Sequence, residues 1–329
     1  MLVSDLDESD LIARFTEVLP TGGRTLVGPG DDCAQVAAPE GTFLVTCDVL
    51  VDGHHFRRDW SSPDEIGERA AAQNLADVAA MGARTSALVV SLTLPAHTDV
   101  DWLVALVAGF GHRARMAGAG VVGGDLSGGE QFTISVTAHG YTQGAPILRS
   151  GARPGDVLAL AGTLGHSGAG LELLGRGIVD PRIHDDVLLG EWAEPVAVYR
   201  APRPPLEAGP VAATWGAHAM MDVSDGLGVD ALRMARASGV VLDLDAEALA
   251  VRARELGSAA RACGHPAMDW VLHSGEDHSL LACFPPHVVL PSPFHPIGTV
   301  GAVEPGGRPR VRMGDDEVTG GWSHFAPGV

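Results

Sequence analysis

Five short acidic segments punctuate this chain: Gly30-Asp31-Asp32, Cys47-Asp48, Asp77 within an alanine-rich stretch, Gly123-Gly124-Asp125 and Asp222-Val223-Ser224-Asp225-Gly226. One aspartate beside a glycine ordinarily marks a turn. Five such segments, most of them following a run with strand character, constrain the fold to one that gathers carboxylates at one edge. Carboxylates brought together repel unless cations sit between them. A hard cation such as Mg2+ takes oxygen ligands and keeps some positions for substrate phosphates. The pattern reads first as a metal-dependent enzyme that handles phosphate.

Composition narrows the class further. A chain of 329 residues has room for two domains with real cores, and its 46% apolar content is that of a globular protein. No apolar run approaches the roughly 20 residues that span a bilayer, and the acidic start Met-Leu-Val-Ser-Asp-Leu-Asp-Glu is unlike a secretory or transit signal. A cytoplasmic protein without a membrane partner is expected. The net charge of −19, from 22 basic and 41 acidic residues, disfavours nucleic acid, whose binding needs a basic footprint. Every basic residue is arginine. With no lysine in the chain there is no Walker A loop, no kinase-type strand lysine and no Schiff base. Cys33, Cys47, Cys263 and Cys283 lack C-x-x-C spacing, so neither a zinc site nor a disulfide framework is indicated.

Periodicity gives a mixed α/β organisation. Residues 9–19 place Leu11, Ile12, Phe15, Val18 and Leu19 on one helical face, and 42–51 is β-rich, running into Cys47-Asp48. Ser62, Pro63 and Glu65 form the start of a helix that runs to about Gly82. Ile66, Ala70, Gln73, Asp77 and Met81 share one face of it. An unpaired charge on that stripe is costly, so Asp77 is either satisfied by a neighbouring loop's amides or a metal ligand, and the second reading is preferred. Strands are expected over 86–94, 120–124 (ending on Asp125) and 132–138, with a helix over 100–116 between the first two. The Gly/Pro-rich stretch 142–156 separates a domain of residues 1–142 from one of residues 143–329. The second domain opens with a strand over 157–161, then Gly162-Thr163-Leu164-Gly165-His166-Ser167-Gly168 and a helix to about Gly175. Strand, glycine-rich turn and helix is an anion-binding layout. Further on, 220–223 reads as a strand end, Ser224 as the N-cap of a helix stopping near Gly239, 240–244 as a strand, and 270–284 as two strands framing Gly275-Glu276-Asp277.

In order along the chain, these segments resemble the thiamine-monophosphate kinase family of the aminoimidazole-ribonucleotide synthetase-like ATP-binding superfamily. The matching stretches begin with Gly30-Asp31-Asp32-Cys33-Ala34, Thr46-Cys47-Asp48, Gly53-His54-His55-Phe56 and Asn74-Leu75-Ala76-Asp77. They continue with Gly123-Gly124-Asp125, Arg149-Ser150-Gly151, Asp222-Val223-Ser224-Asp225-Gly226-Leu227, Ser274-Gly275-Glu276-Asp277 and Gly321-Trp322. The resemblance implies a two-domain α/β (α+β) fold with mixed sheets flanked by helices, and a homodimer whose N-terminal sheets pair. It also implies Mg2+-dependent phosphorylation of thiamine monophosphate by ATP. Carried over by position, Asp32, Thr46, Cys47, Asp48, Asp77, Asp125, Asp222 and Asp225 would hold several Mg2+ ions. Gly124, Asp125, Arg149 and Ser224 would contact ATP, and His55, Glu276 and Trp322 the thiamine phosphate. Asp77, Asp125 and Arg149 would carry the catalysis. Cys47 stands where the family has threonine, Trp322 where it has tyrosine, and His278-Ser279 where it has Tyr-Glu. Without the resemblance, His55 reads as a loop histidine, Glu276 as part of a turn and Trp322 as packing.

Chemistry independently favours this reading. A phosphomonoester acceptor has a second pKa near 6 and is largely ionised at neutral pH, so it needs no general base. It needs relief from repulsion: two unit charges about 4 Å apart repel by roughly 4 kcal/mol at an effective dielectric of 20. Bridging cations supply that relief without a catalytic histidine. The rivals are another ATP-dependent synthetase of the same superfamily and a non-catalytic nucleotide- or cation-binding regulator.

Overall fold

Ser62 and Glu65 cap a helix reciprocally: Glu65 Oε2 accepts from the Ser62 amide at 2.7 Å, and Ser62 Oγ accepts from the Glu65 amide at 3.4 Å. This is the capping box expected from the sequence, and the helix, α1, covers Pro63–Ala80. In the computed structural model, which describes residues 14–27, 35–38 and 41–322, the chain forms two compact units, and all of α1 but its last two residues belongs to the first. That unit comprises Met1–Val78 and Ala83–Gly144; the second comprises Ala79–Gly82 and Ala145–Val329.

The first unit carries a two-stranded ribbon, β1 (Thr25–Val27) and β2 (Gln35–Val36), and a four-stranded sheet. The sheet contains β3 (Leu44–Val51), β4 (Arg84–Leu94), β5 (Gly120–Gly128) and β6 (Thr133–Tyr141), in the order β3-β6-β4-β5. Antiparallel β3/β6 and β6/β4 pairs adjoin a parallel β4/β5 pair, whose crossover is helix α2 (Val100–Met116). α1 is alanine-rich and buried nearly all round: Ile66, Ala70, Ala71, Ala72 and Ala76 have no exposed surface. On β3 the pleat turns Val45, Cys47 and Val49 outward, where all three are exposed, while Leu50 is fully buried. The strand expected over 120–124 continues to Gly128, so Asp125 sits inside β5 rather than at its end.

The second unit is built on a seven-stranded sheet. In chain order its elements are β7 (Val157–Ala161), α3 (His166–Gly175), α4 (Asp186–Leu189), α5 (Ala193–Arg200), α6 (Ala208–Thr214) and β8 (Ala219–Val223). There follow α7 (Leu227–Ser238), β9 (Val240–Leu244), α8 (Ala246–Glu255), α9 (Gly257–Cys263), α10 (Ala267–His273) and β10 (Ser279–Phe284). The unit ends with β11 (His295–Ala302), β12 (Arg310–Met313) and β13 (Asp316–Glu317). The strand order is β13-β12-β9-β11-β7-β10-β8, antiparallel except for β9/β12. Every residue of β8 and β10 is buried, and Met220, Leu280, Phe284 and Phe294 join one core cluster.

Three expectations are corrected here. Residues 270–273, expected as strand, belong to α10: the short apolar run Trp270-Val271-Leu272 fits either element, and burial alone does not separate them. Ser224 does not cap α7, whose N-cap is Gly226. The 162–168 turn does lead into a helix, but its N-terminal amides are occupied by the chain's own Asp277. No helix of the described residues is long and apolar enough to cross a membrane.

Candidate active site

In the first unit the sequence-nominated residues divide between the two edges of the sheet. Thr46 donates its hydroxyl to Asp77 Oδ2 at 2.7 Å, so strand β3 and helix α1 bring a hydroxyl and a carboxylate together. Asp48 lies two residues on, and its amide at the strand edge donates to Asn74 Oδ1 at 3.2 Å. Asn74 is completely buried and is held in turn through Nδ2 on the Ala70 carbonyl. Sequence reasoning quoted Asn74 within a motif but gave it no role; its spacing of three from Asp77 on one helix was the available signal. Cys47 points to the other face of the sheet, with Sγ 3.7 Å from Ser135 Oγ.

Asp125 stands on β5 at the far edge, exposed, and accepts from Ser127 Oγ at 3.1 Å. Three strand spacings of about 4.8 Å separate β3 from β5, roughly 14 Å in all. One unit therefore does not bring Asp125 to the Thr46–Asp77 pair. Gly124 beside it is dictated by close approach, because a Cβ there would lie 2.1 Å from the Val90 carbonyl oxygen. His55 folds back onto its own turn: Nδ1 accepts from the Val51 amide at 3.0 Å, which fixes the tautomer with the proton on Nε2. Asp32 lies outside the described residues.

In the second unit five nominated residues interlock. The Asp222–Gly226 turn after β8 and the Gly275–His278 loop before β10 are joined main chain to main chain. Glu276 N donates to the Ser224 carbonyl at 2.8 Å and His278 N to the Val223 carbonyl at 3.2 Å. Gly275 is forced by this contact, since a Cβ would meet the Ser224 oxygen at 2.0 Å. Trp322, half exposed, donates its amide to the Asp225 carbonyl at 2.8 Å, which straps the tail over the same turn. Leu148 accepts from the β8 amide of Met220 at 3.3 Å, and the Arg149 carbonyl accepts from Ser238 Oγ at 2.8 Å, so the exposed Arg149 is held beside β8.

Sequence reasoning missed the groups that hold this interlock. Asp230 is fully buried on the first turns of α7. Its Oδ2 accepts from the Ser224 and Asp225 amides at 3.1 and 2.9 Å. Burial pushes its carboxyl up to about 6, helped by nearby Asp222 and Asp225 and opposed by the Asp225 amide and Arg233. Arg233 Nη1 bridges Asp225 Oδ2 and Asp230 Oδ1, both at 2.6 Å. Asp277, also buried, accepts from Thr163 Oγ1 at 2.7 Å and from the His166 and Ser167 amides at 3.1 Å. Burial pushes this carboxyl up as well, against the pull of His166 and the three donors. Its neighbours Glu276 and His278 are left-handed, with φ of 71° and 53°, the only such non-glycine residues among those described. Non-glycine backbone in that region costs on the order of 1–3 kcal/mol and persists only where the surrounding structure holds it. His278 faces Asp222, with Nδ1 3.4 Å from Oδ2. Asp277 has no local sequence signature, because the groups it binds lie more than a hundred residues away.

Both units therefore present oxygen donors, from aspartate and threonine, which suit a hard divalent cation rather than zinc. Among the described residues no three His, Cys, Asp or Glu side chains converge as a ready-made cage. That donor set fits Mg2+, which is held by one or two carboxylates and completes its shell with water and substrate phosphates.

Comparison with known proteins bears on these groups. The AIR synthase related protein N-terminal domain family matches residues 30–142, and its C-terminal domain family matches residues 153–277. A thiamine-monophosphate kinase of Mycobacterium tuberculosis is 44% identical over 326 residues, covering 98% of this chain and 93% of the relative. The crystal structure of thiamine monophosphate kinase from Aquifex aeolicus superposes with a TM-score of 0.74 at 28% identity, covering 97% of this chain and all of the other. A structure of AaThiL complexed with AMPPCP and TMP superposes with a TM-score of 0.77 at 29% identity, covering 99% of both chains.

Proposed function

Because the chain belongs to the thiamine-monophosphate kinase family, we propose that it transfers the γ-phosphoryl group of ATP to thiamine monophosphate, giving thiamine diphosphate and ADP. The observation that carries this reading is near-full-length identity to kinases of that name, combined with oxygen-donor residues that fit Mg2+ in each unit.

In this reading Asp32, Thr46, Asp48, Asp77, Asp125, Asp222 and Asp225 hold Mg2+, and Cys47 contributes through its main chain, since its thiol lies on the opposite face from Thr46. Bound there, Mg2+ supplies charge neutralisation between the two phosphates and at the transferred group. Arg149 and the Gly124 and Ser224 main chain orient ATP, and Arg149 adds a fixed positive charge toward the equatorial oxygens. His55, through Nε2–H, and Glu276 bound the acceptor's pocket. Trp322 offers an aromatic face to the cationic thiamine ring. The acceptor phosphate is already ionised, so no side chain removes a proton, and transfer is direct and in line.

A cytoplasmic homodimer belongs to the same proposal. The outward face of β3, with Val45 61% and Val49 48% exposed, together with Phe43 just before the strand at 61%, is the surface a second copy would cover. The test is ADP release, with thiamine diphosphate identified as product, on thiamine monophosphate against free thiamine. Turnover of thiamine but not of its monophosphate, or a phosphorylated protein intermediate, refutes the proposal.

A further inference from the structure

Three acidic residues and one arginine crowd the segment from β8 into α7. Asp225, Asp230 and Arg233 are joined through a single guanidinium nitrogen, Nη1, 2.6 Å from both carboxylates, and Asp222 is buried nearby at the end of β8. The two ion pairs differ in kind. The Asp230 side chain has no exposed surface, and its other oxygen is already committed to the Ser224 and Asp225 amides. A hydrated ion has no path to it. Asp225 is 21% exposed and Arg233 41%, so this second contact faces solvent and can exchange.

We propose that Arg233 is the resident counter-cation of this turn and the competitor that a divalent cation must displace from Asp225. The inference rests on the proposed role of Asp225 as a metal ligand. Without metal, Arg233 offsets part of the negative charge of the turn and keeps it formed. When the cation arrives, Arg233 releases Asp225, swings toward solvent and keeps its bond to Asp230. The exchange sets metal affinity: every bound ion must overcome an ion pair that already satisfies its ligand. An exposed pair of this type is worth a factor of roughly two to five.

The test uses the full-length, nucleotide-free protein with Mn2+ as the probe, its free concentration read by electron paramagnetic resonance at constant ionic strength. Arg233→Met combined with Asp230→Asn removes the competitor while leaving the local net charge unchanged and the buried site neutral. We expect it to bind Mn2+ about two- to fivefold more tightly than wild type. Adding Asp225→Asn to that background is expected to abolish the gain. Arg233→Gln combined with Asp230→Asn, which keeps a neutral donor toward residue 230 and the same local net charge, is the second variant and is expected to shift the same way. A purely structural role for Arg233 predicts unchanged or weaker binding, and either result overturns the inference, as does a gain that survives Asp225→Asn. Phosphorylation of thiamine monophosphate by wild type is scored separately: its absence would remove the underlying reading, whereas unchanged Mn2+ affinity in an active enzyme would remove only the role of Arg233.

Discussion

Replacing Asp230 by asparagine should make the metal-free protein more stable at neutral pH, although the substitution removes one arm of an ion pair. The carboxyl is raised from 3.8 to about 6, with burial the largest cause. Between these values the folded protein binds a proton that the unfolded chain has released. The group's favourable contribution is therefore complete below about pH 4 and is lost as pH rises through about 6. A displacement of this size corresponds to about 3 kcal/mol. Asparagine is isosteric, keeps an oxygen for the Ser224 and Asp225 amides, and does not titrate. Urea unfolding of both proteins in chelator at pH 4 and pH 7.5 measures the effect. Near pH 4 the two should agree within about 1 kcal/mol, and by pH 7.5 the variant should lead by up to about 3. A difference that stays constant with pH, or that moves toward wild type as pH rises, would show that Arg233 and the two amides outweigh burial and would refute the reasoning.

Other perturbations act on the proposed chemistry and on the packing. Asp77→Asn should remain folded, since Thr46 can still donate to the amide oxygen, yet lose orders of magnitude in kcat and show a smaller Mg2+-induced rise in Tm; wild-type kcat with an unchanged Mg2+ shift would show that Asp77 binds no catalytic metal. Trp322→Ala should raise the KM for thiamine monophosphate by roughly 2- to 30-fold and that for ATP far less, with Trp322→Tyr nearly silent; equal KM values throughout would make Trp322 a packing residue. Gly124→Ala drives a Cβ to 2.1 Å from the Val90 carbonyl oxygen, a backbone atom that cannot rotate away. It should lower Tm by roughly 3–8 °C by calorimetry, and an unchanged Tm would mean that β4 and β5 part freely.

Much of this architecture was legible where the chemistry is local. The capping box named the start of α1 to the residue, and alternation in Phe132–Ala138 found β6, because those signals lie within a few positions of each other. Asp32, Asp125 and Asp225 were nominated through their glycine neighbours, Asp48 and Asp222 through strand ends and Asp77 through its place on an apolar helix stripe; Gly124 and Gly275 do sit where another backbone presses close. What escaped depends on which groups the fold brings together, near or far along the chain. Trp270-Val271-Leu272 fits helix and strand equally until α10 meets its neighbours. Ser224 has the composition of an N-cap, but Asp230 takes the amides around it and moves the cap to Gly226. The glycine-rich turn at 162–168 has the layout of an external anion site, and only the fold shows that Asp277 fills it from within.

That internal anion has a consequence for how the protein is made. The carboxylate that closes the start of α3 is encoded 111 residues after the amide it binds, and β7 waits for the same stretch of chain to pair with β10. At about 5–20 residues per second, a ribosome delivers Asp277 some 5–20 s after His166. During that interval β7 and the glycine-rich turn exist without their partner strand and without their terminating charge. The second unit thus cannot mature from its beginning onward: Gly275–Phe284 supplies one partner of β7 and the charge at the start of α3 together, and the other edge of β7 is covered only when β11 follows. Truncations that stop before residue 275 should leave nascent chains prone to association, whereas those that stop shortly after residue 284 have already supplied that strand and that charge.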